Sequence, residues 1–594
     1  MCGIAGIFAY GDGATPVDRA ALTRMNDAMV ARGPDGEGIW KDAENRVGFG
    51  HRRLSIIDLT DSGAQPMQFD NGRLVITYNG EIYNFRELRA ELESQGRHFR
   101  SESDTEVLLH LYDRDGADMV DRLRGMFALA IYDREKRGIF LARDGFGIKP
   151  LYYANDGQTL RFASQVKTLL AGGGIDTAPS AAGRAGFHVW GYVPEPWTMF
   201  ENIRALPAGS TMWIDHRGAQ PQTRYFDVTQ ELAAAAERPE PWTRENLRDA
   251  LLDTLQHHLV ADVRVGAFLS AGLDSATIVA LTAELQSDAL RSVTLGFDEF
   301  DGTQFDEAAL AEKIARHYDT AHQTQRVKGE DFQAEYKRLC AAMDQPSIDG
   351  VNTYFVSKVT AETGLKVAMS GLGGDELFGG YQSFQEIPRM VGTLGAVPGM
   401  RCAGRAFRRI AAPLVSALTS PKYASVLEYG TTYPDAYLLR RALFMPWELP
   451  KLMDPDMARA GWAELEEHSN RRRQVDGLKT PRAKVSALES TWYMRSQLLR
   501  DSDWAGMAHS LEIRVPLVDT FFFKRIAPML ASATPPGKLD MAASPAKPLP
   551  GDVLNRPKTG FAVPMRDWLL KDDPTATDRG FRGWSRKIVE DCYA

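Results

Sequence analysis

Residues 263–297 read as strand, loop, helix and strand in succession, and that order forces a parallel sheet. Residues 263–269 form a short apolar run bounded by turn signals, consistent with a strand buried on both faces. Ser270-Ala-Gly-Leu-Asp-Ser275 follows as a loop, residues 276–285 as a helix, and residues 292–297 as a second strand. Parallel neighbours need a crossover connection, and here the helix supplies it. A loop of small residues entering a helix presents backbone N–H groups and the positive end of the helix dipole, so it favours an anion such as phosphate. It is not a Walker A loop, because no Gly-Lys-Ser/Thr follows.

At 594 residues the chain is too long for one core, so two or more domains are expected. The first two hundred residues have a different character. Short apolar runs at 73–78 and 126–132 are separated by turn residues. Helical spacing marks residues 86–95 and 105–114. This is an α+β pattern of two packed antiparallel sheets. The Ala/Pro/Glu stretch from Glu231 to Pro241 reads as a linker. A helix at about 244–260 leads into the parallel unit, and beyond about residue 385 the pattern is mostly helical.

Bulk properties exclude several classes. Hydrophobic content of 44% and charged content of 25% are those of an ordinary globular protein. A net charge of -8 leaves no basic footprint for nucleic acid. No run approaches the roughly 18 apolar residues of a membrane helix, and the apolar start lacks the basic segment of a signal peptide. Cys2, Cys340, Cys402 and Cys592 are too few and too scattered for a disulfide framework or a zinc site. Reduced thiols and a cytoplasmic location are the expectation, with no nucleic-acid and no membrane partner.

Cys2 directly follows Met1. Removal of Met1 leaves one residue with both a soft nucleophile and a free α-amine of pKa roughly 7.7–8.0. That amine can take the thiol proton directly or through water, the logic of N-terminal nucleophile catalysis. The alternative is a small apolar residue entering a first strand. Polar clusters follow at Arg32-Gly-Pro-Asp-Gly36, Arg53-Leu-Ser-Ile-Ile57, Asn79-Gly80-Glu81 at a strand end, and Ser103-Asp104-Thr105 at a helix start. Singly, each has a structural role open to it, such as a turn or an N-cap.

Together with the N-terminal Cys they resemble, in order, the glutaminase domain of class II glutamine amidotransferases. The resemblance implies an Ntn-type fold of stacked antiparallel sheets. It makes Cys2 the nucleophile that converts glutamine to glutamate and ammonia. Arg53 would hold the glutamine α-carboxylate, with backbone help around Ile57, and Asp104 its α-ammonium. Asn79 and Gly80 would stabilise the oxyanion, and Glu81 would line the pocket.

The Ser270–Ser275 loop resembles the pyrophosphate loop of ATP pyrophosphatases, with Ala271 in place of the usual first Gly. An Ala there either limits close approach of phosphate with its methyl or marks a residue whose φ stays below zero, and the second is the expectation. Three further motifs follow in order: Ser370-Gly-Leu-Gly-Gly-Asp375-Glu-Leu-Phe-Gly-Gly-Tyr381, Met507-Ala-His-Ser-Leu-Glu-Ile-Arg-Val-Pro516 and Arg556-Pro-Lys-Thr-Gly-Phe561. With the first loop they resemble the synthetase domain of glutamine-hydrolysing asparagine synthetases, an α/β parallel-sheet ATP pyrophosphatase with a helical C-terminal part. The implied domains are 2–215 and 240–570.

In that resemblance ATP and Mg²⁺ are the cofactors. Asp274 and Asp375 would bind the metal, whose preference is for hard oxygen ligands. Phe268 and Leu295 would line the adenine pocket. Ser270, Gly272, Ser275, Ser370 and Gly371 would contact the nucleotide, and Lys538 would neutralise the leaving pyrophosphate. The arginine usual downstream of that lysine is Ala542 here. Lys538 is otherwise a solvated surface charge, and His509 reads as structural rather than as a base.

One departure bears on the product. Asparagine synthetases typically carry Glu at the position of Leu372, where a carboxylate can accept a proton as ammonia attacks the acyl-adenylate; a Leu cannot. Residues 344–354 also differ from the acidic, small-residue segment expected of aspartate-specific enzymes and are assigned to the acceptor pocket. The expected activity is glutamine-dependent amidation of an adenylated carboxylate, with aspartate as the acceptor. A sugar acid or peptide acceptor, and a catalytically silent regulatory or assembly homologue, are the alternatives. Sugar-isomerising and phosphoribosyl amidotransferases are disfavoured by the Ser270–Ser275 loop. The reading is compatible with a homodimer and leaves oligomeric state open.

Overall fold

Alternation along Gly3–Ala9 sets the layering of the N-terminal half. Ile4 and Phe8 point to one face and join Val47, Phe49 and Phe162 in a core shared with Val75, Ala128, Ile139 and Leu141 of a second sheet. Ala5, Ile7 and Ala9 point the other way and pack with Leu22, Met25 and Leu169 of two helices. A period of two thus places one strand between a sheet and a helical layer. The structure is a computed structural model, and it describes residues 2–303, 305–469, 474–556, 564, 568 and 581–593.

The first sheet runs Arg204–Ala205, Tyr152–Asn155, Thr159–Ala163, Gly3–Ala9, Val47–Arg53, Gly36–Lys41, with every pairing antiparallel. The second runs Gly218–Ala219, Ser210–Asp215, Gly138–Arg143, Gly125–Asp133, Leu74–Ile82, Met67–Phe69, with Thr223–Arg224 also paired to Ser210–Asp215. Its outer face buries Leu74, Ile76 and Tyr78 against Leu88, Leu92, Leu108 and Leu111 of the helices Phe85–Ser94 and Asp104–Asp115. The result is a four-layer helix–sheet–sheet–helix unit, the Ntn-type arrangement expected.

The second half holds a parallel sheet in the order Ala321–Val327, Arg291–Phe297, Val265–Phe268, Val367–Met369, Glu512–Arg514. Strand order reverses between Val265–Phe268 and Val367–Met369. Ligands of open parallel sheets bind outside the carboxyl ends of the strands at such a switch point. The loops 269–272 and 370–373 leave from those ends, each followed by a helix, Leu273–Leu285 and Gly374–Phe378.

Three expectations are corrected. The stretch assigned to a linker is largely the helix Val228–Glu237, N-capped by Asp227, whose carboxylate accepts from the N–H groups of Thr229 and Gln230. High alanine propensity and that cap outweigh the prolines, which lie beyond its end. Asn79-Gly80-Glu81 does not end a strand: Leu74–Ile82 runs through it, with Gly80 opposite Phe127. A Cβ on Gly80 would lie 2.1 Å from the Met126 carbonyl oxygen, so the bare backbone is what allows pairing to continue. Cys340 and Cys592 are not reduced thiols but a disulfide joining residues 252 apart, because the helices Gly329–Ala342 and Arg582–Cys592 end side by side. Among the described residues no helix is long and apolar enough to cross a membrane.

Candidate functional site

Cys2 is buried at the entry to the first strand, and its backbone N–H donates to Asn79 Oδ1 at 2.9 Å. Asn79 is fully buried, and its Nδ2 has no partner among the described residues. A donor that nothing satisfies is therefore held beside Cys2, as an oxyanion site requires. Burial raises the Cys2 thiol, while the Leu54 N–H and the nearby Arg53 oppose the rise. Asp104 opens the helix Asp104–Asp115, capped by Ser103, and accepts from Tyr78 Oη and the Ile82 N–H, each at 3.0 Å. Burial raises its pKa against those two bonds.

Arg53 lies at the end of Val47–Arg53, and its guanidinium donates to Thr60 O at 2.7 Å, Ile57 O at 3.3 Å and the Asp58 carbonyl. Arg53 and Ile57 are thus brought together. A carboxylate reaching this arginine must share it with those carbonyls.

Glu81 is buried and faces Arg514 Nη2 at 3.5 Å, across the boundary between the two halves. Burial and the neighbouring Glu512 push its pKa well up, with Arg514 opposing. Arg514 also donates to Glu512 at 2.7 Å, and its own carbonyl accepts from Ser370 N–H at 2.8 Å. One strand therefore touches the N-terminal pocket through a side chain and the nucleotide-type loop through its backbone.

In the Ser270–Ser275 loop, Ser275 Oγ takes part in bonds to Ser270 N, Ser270 Oγ, Ser270 O and Gly272 O at 2.9–3.2 Å, and Gly272 N–H donates to Ser270 Oγ at 3.1 Å. Ala271 is buried and its φ is outside the left-handed region, as its side chain demands. Phe268 and Leu295 sit on adjacent parallel strands, and Leu269 N–H donates to Val293 O at 2.9 Å between them. A Cβ on Gly371 would lie 2.8 Å from Asp274 Cβ, so the two loops press together.

Lys538 is no surface lysine. Its Nζ bonds Asp274 and lies 3.0 Å from Asp375 Oδ1, with 15% of the side chain exposed. Burial works against its charge, and the two carboxylates outweigh it, so its pKa rises. Ala542 is buried and makes no part of this cluster. Asp274 and Asp375 are each pressed on bare backbone: a Cβ on Gly374 would meet Asp274 Oδ1 at 2.2 Å, and one on Gly380 would meet Asp375 Oδ1 at 1.9 Å. Two convergent carboxylates in a glycine cradle fit Mg²⁺, which takes one or two carboxylates and fills its remaining positions from water and phosphate.

Beside these loops lies a cavity of about 250 Å³ lined by Leu372, Ser370, Asp349, Asn352, Thr353 and Asp501, among others. Part of the 344–354 segment is thus brought to Leu372. Asp501 is the member that sequence reasoning missed. It accepts from Ser347 Oγ at 2.6 Å and Trp504 Nε1 at 2.8 Å, and burial, against Arg500, pushes its pKa up to about 7. The available signal was Asp501-Ser-Asp503, two carboxylates in a run that buries every residue from 499 to 507. His509 lies outside this cavity, with its ring 4.4 Å from that of Tyr354. Of the last motif, Arg556 pairs with Glu307 at 3.1 Å, and residues 557–561 lie outside the described residues.

An Ntn-type unit with an N-terminal cysteine, fused to a parallel sheet with a pyrophosphate-type loop at its switch point, defines a glutamine-dependent amidotransferase that uses ATP. Residues 1–226 match the family model described as a glutamine amidotransferase domain, and residues 246–579 match the one described as asparagine synthase. The chain belongs to the asparagine synthase family and is an ATP-dependent ligase of the glutamine-hydrolysing asparagine synthetase type. It is 32% identical over 610 residues to asparagine synthetase (glutamine-hydrolyzing) 1 of Bacillus subtilis, covering 100% of this chain and 90% of that one. A putative asparagine synthetase (glutamine-hydrolyzing) of Mycobacterium bovis is 34% identical over 596 residues, covering 96% and 88%. Amidase chry2 of Gibberella zeae is 28% identical over 409 residues, covering 65% and 60%. Among solved structures, the chain matches a glutamine phosphoribosylpyrophosphate amidotransferase from B. subtilis at 16% identity over 57% of this chain and 93% of that one, with a TM-score of 0.31.

Proposed function

We propose that the chain makes asparagine from aspartate, with Cys2 releasing ammonia from glutamine and the acceptor adenylated beside the Ser270–Ser275 loop. The carrying observation is the cavity next to Ser370. Asp349 offers a countercharge for an α-ammonium. The helix Val351–Glu362 begins in the same wall with Asn352 and Thr353 in its first turn, and helix N-termini favour a carboxylate. An amino-acid acceptor satisfies both at once. The side-chain carboxylate of aspartate is then the group left to be adenylated.

In this reading the Cys2 thiol gives its proton to the α-amine and attacks the glutamine side-chain amide; the α-ammonium returns that proton to the leaving nitrogen, which departs as ammonia, and water then hydrolyses the γ-glutamyl thioester to glutamate. Asn79 Nδ2 and the Gly80 N–H receive the charge that develops on oxygen. Arg53 and Asp104 hold the two ends of glutamine, and Glu81 closes the pocket. Ammonia must reach the acyl-adenylate without protonation by bulk water, since ammonium is not a nucleophile. Mg²⁺ held by Asp274 and Asp375 would supply charge neutralisation on the phosphates. Lys538 sits where it can balance the leaving pyrophosphate.

The test is pyrophosphate release with glutamine and ATP across aspartate, sugar acids and short peptides. Release with aspartate alone supports the proposal. Release with another acid and none with aspartate overturns the acceptor assignment.

Leu372 cannot take the proton lost by the attacking ammonia, and Asp501 faces the same cavity with a carboxyl that titrates near neutrality. Its base form gains population as pH rises through about 7, so the ammonia-driven step is expected to rise with it. With free ammonia held constant across the pH range, Asp501→Asn is expected to flatten that limb and slow the step by about 10²-fold. An unchanged pH profile of ammonia-driven pyrophosphate release at constant free ammonia would remove Asp501 from the role.

A further inference from the structure

Cys2 is held by a residue that is itself held from the other half of the molecule. Arg32 Nε donates to the Cys2 carbonyl at 3.1 Å, while Nη1 and Nη2 donate to Asp503 Oδ2 and Oδ1 at 2.7 and 3.0 Å. Both side chains are almost fully buried, at 2% and 3% exposure. A planar guanidinium with donors on its end and its edge can serve a carboxylate and a carbonyl together; a lysine ammonium has no such fork. The pair spans 471 residues. The turn carrying Arg32 is pinned again where Ser510 Oγ donates to Ala31 O at 2.7 Å. At Gly33 a Cβ would lie 2.3 Å from the backbone of Arg52, so this turn is pressed directly on the strand beside the first one.

We infer that Asp503 is a positioning residue for the glutamine reaction: it fixes Arg32, and Arg32 fixes the Cys2 backbone from which the thiol and α-amine project. The inference rests on the reading of Cys2 as the nucleophile. Asp503 belongs to the helix Arg500–Met507, and so does Asp501 of the acceptor cavity. Two residues apart on a helix is about 200° of rotation, so the two carboxylates leave opposite sides of one element. Whatever seats in the cavity and whatever reacts at Cys2 therefore bear on the same helix. Asp503 reaches Cys2 through Arg32, which bonds the Asp503 carboxylate with one end and the Cys2 carbonyl with the other.

The experiment compares the parent enzyme with Asp503→Asn, Asp503→Glu and Arg32→Lys. Glutamate release, ammonia-driven pyrophosphate release and the rate of Cys2 alkylation by iodoacetamide are measured for each. Asp503→Asn is expected to lower the kcat for glutamate release about 100-fold, the scale set by a 1 Å misplacement of a reacting group. KM for glutamine is expected to stay within about threefold, and ammonia-driven release within about twofold. Asp503→Glu is expected to recover part of the loss, and Arg32→Lys to behave like Asp503→Asn. Slower alkylation of Cys2 in Asp503→Asn is the readout independent of turnover. An unchanged kcat for glutamate release would overturn the inference. An equal fall in both activities would also overturn it, because the pair would then be a structural tie alone. Absence of glutamate release from the parent enzyme would instead overturn the reading of Cys2, and the positioning role with it.

Discussion

Cys2→Ala is expected to abolish glutamate release while ammonium salts and ATP still drive pyrophosphate release with the acceptor. Removal of a covalent nucleophile costs on the order of 10⁴-fold or more, because the remaining oxyanion donors and binding groups have nothing to stabilise. The substitution itself is mild: the thiol occupies a buried site, and a methyl there leaves only a small void. The backbone bonds from Cys2 to Asn79 and from Arg32 to Cys2 do not involve the side chain and persist. The synthetase half therefore keeps its contacts, and raising pH should increase the ammonia-driven rate by increasing free ammonia. Retained glutaminase activity in Cys2→Ala would sink the N-terminal assignment. Loss of the ammonia-driven reaction as well would show that the two halves do not act separately.

The parts of this molecule that follow local rules were legible in the sequence. The short apolar runs at 73–78 and 126–132 and the uninterrupted apolar run at 263–269 gave antiparallel and parallel strands respectively, each where it was expected. Cys2, Asn79, Asp104, Asp274 and Asp375 are the candidate site residues of short motifs; the fold sets Cys2 against Asn79 and brings Asp274 and Asp375 together on Lys538. What sequence alone did not give was pairing at long range. Asp503 and Arg32 are 471 residues apart, and Cys340 and Cys592 are 252 apart. No local periodicity encodes such partners. Asp501 was hidden for another reason: its helix buries both faces, so charge on it reads as a solvated side until the cavity and Arg32 are seen. The Asn79-Gly80 pair misled because its turn propensity was overruled by the nine-residue strand around it.

Asp274→Asn and Asp375→Asn are each expected to lower acceptor-dependent pyrophosphate release by about 10²–10³-fold, whether the nitrogen comes from glutamine or from ammonium. Each swap keeps shape and removes one negative charge from a cluster in which Lys538 faces both carboxylates. With one carboxylate gone, Lys538 pairs wholly with the other, so the site loses two of its means of holding a cation on the phosphates. The Mg²⁺ concentration needed for half-maximal release should therefore rise, and it should rise in both variants because the two oxygens converge on one place. Glutamate release in the absence of ATP should stay near the parent level, since among the described residues the link from these loops to the Cys2 pocket is indirect, running from Ser370 through the Arg514 backbone to the Arg514–Glu81 pair. That contrast with Cys2→Ala is the decisive one: one substitution silences the nitrogen donor, the others silence the activation of the acceptor. Lys538→Met separates the metal role from the pyrophosphate role, because it should slow release without raising the Mg²⁺ requirement. Variants of either aspartate that kept full release at low Mg²⁺ would show that neither binds the metal.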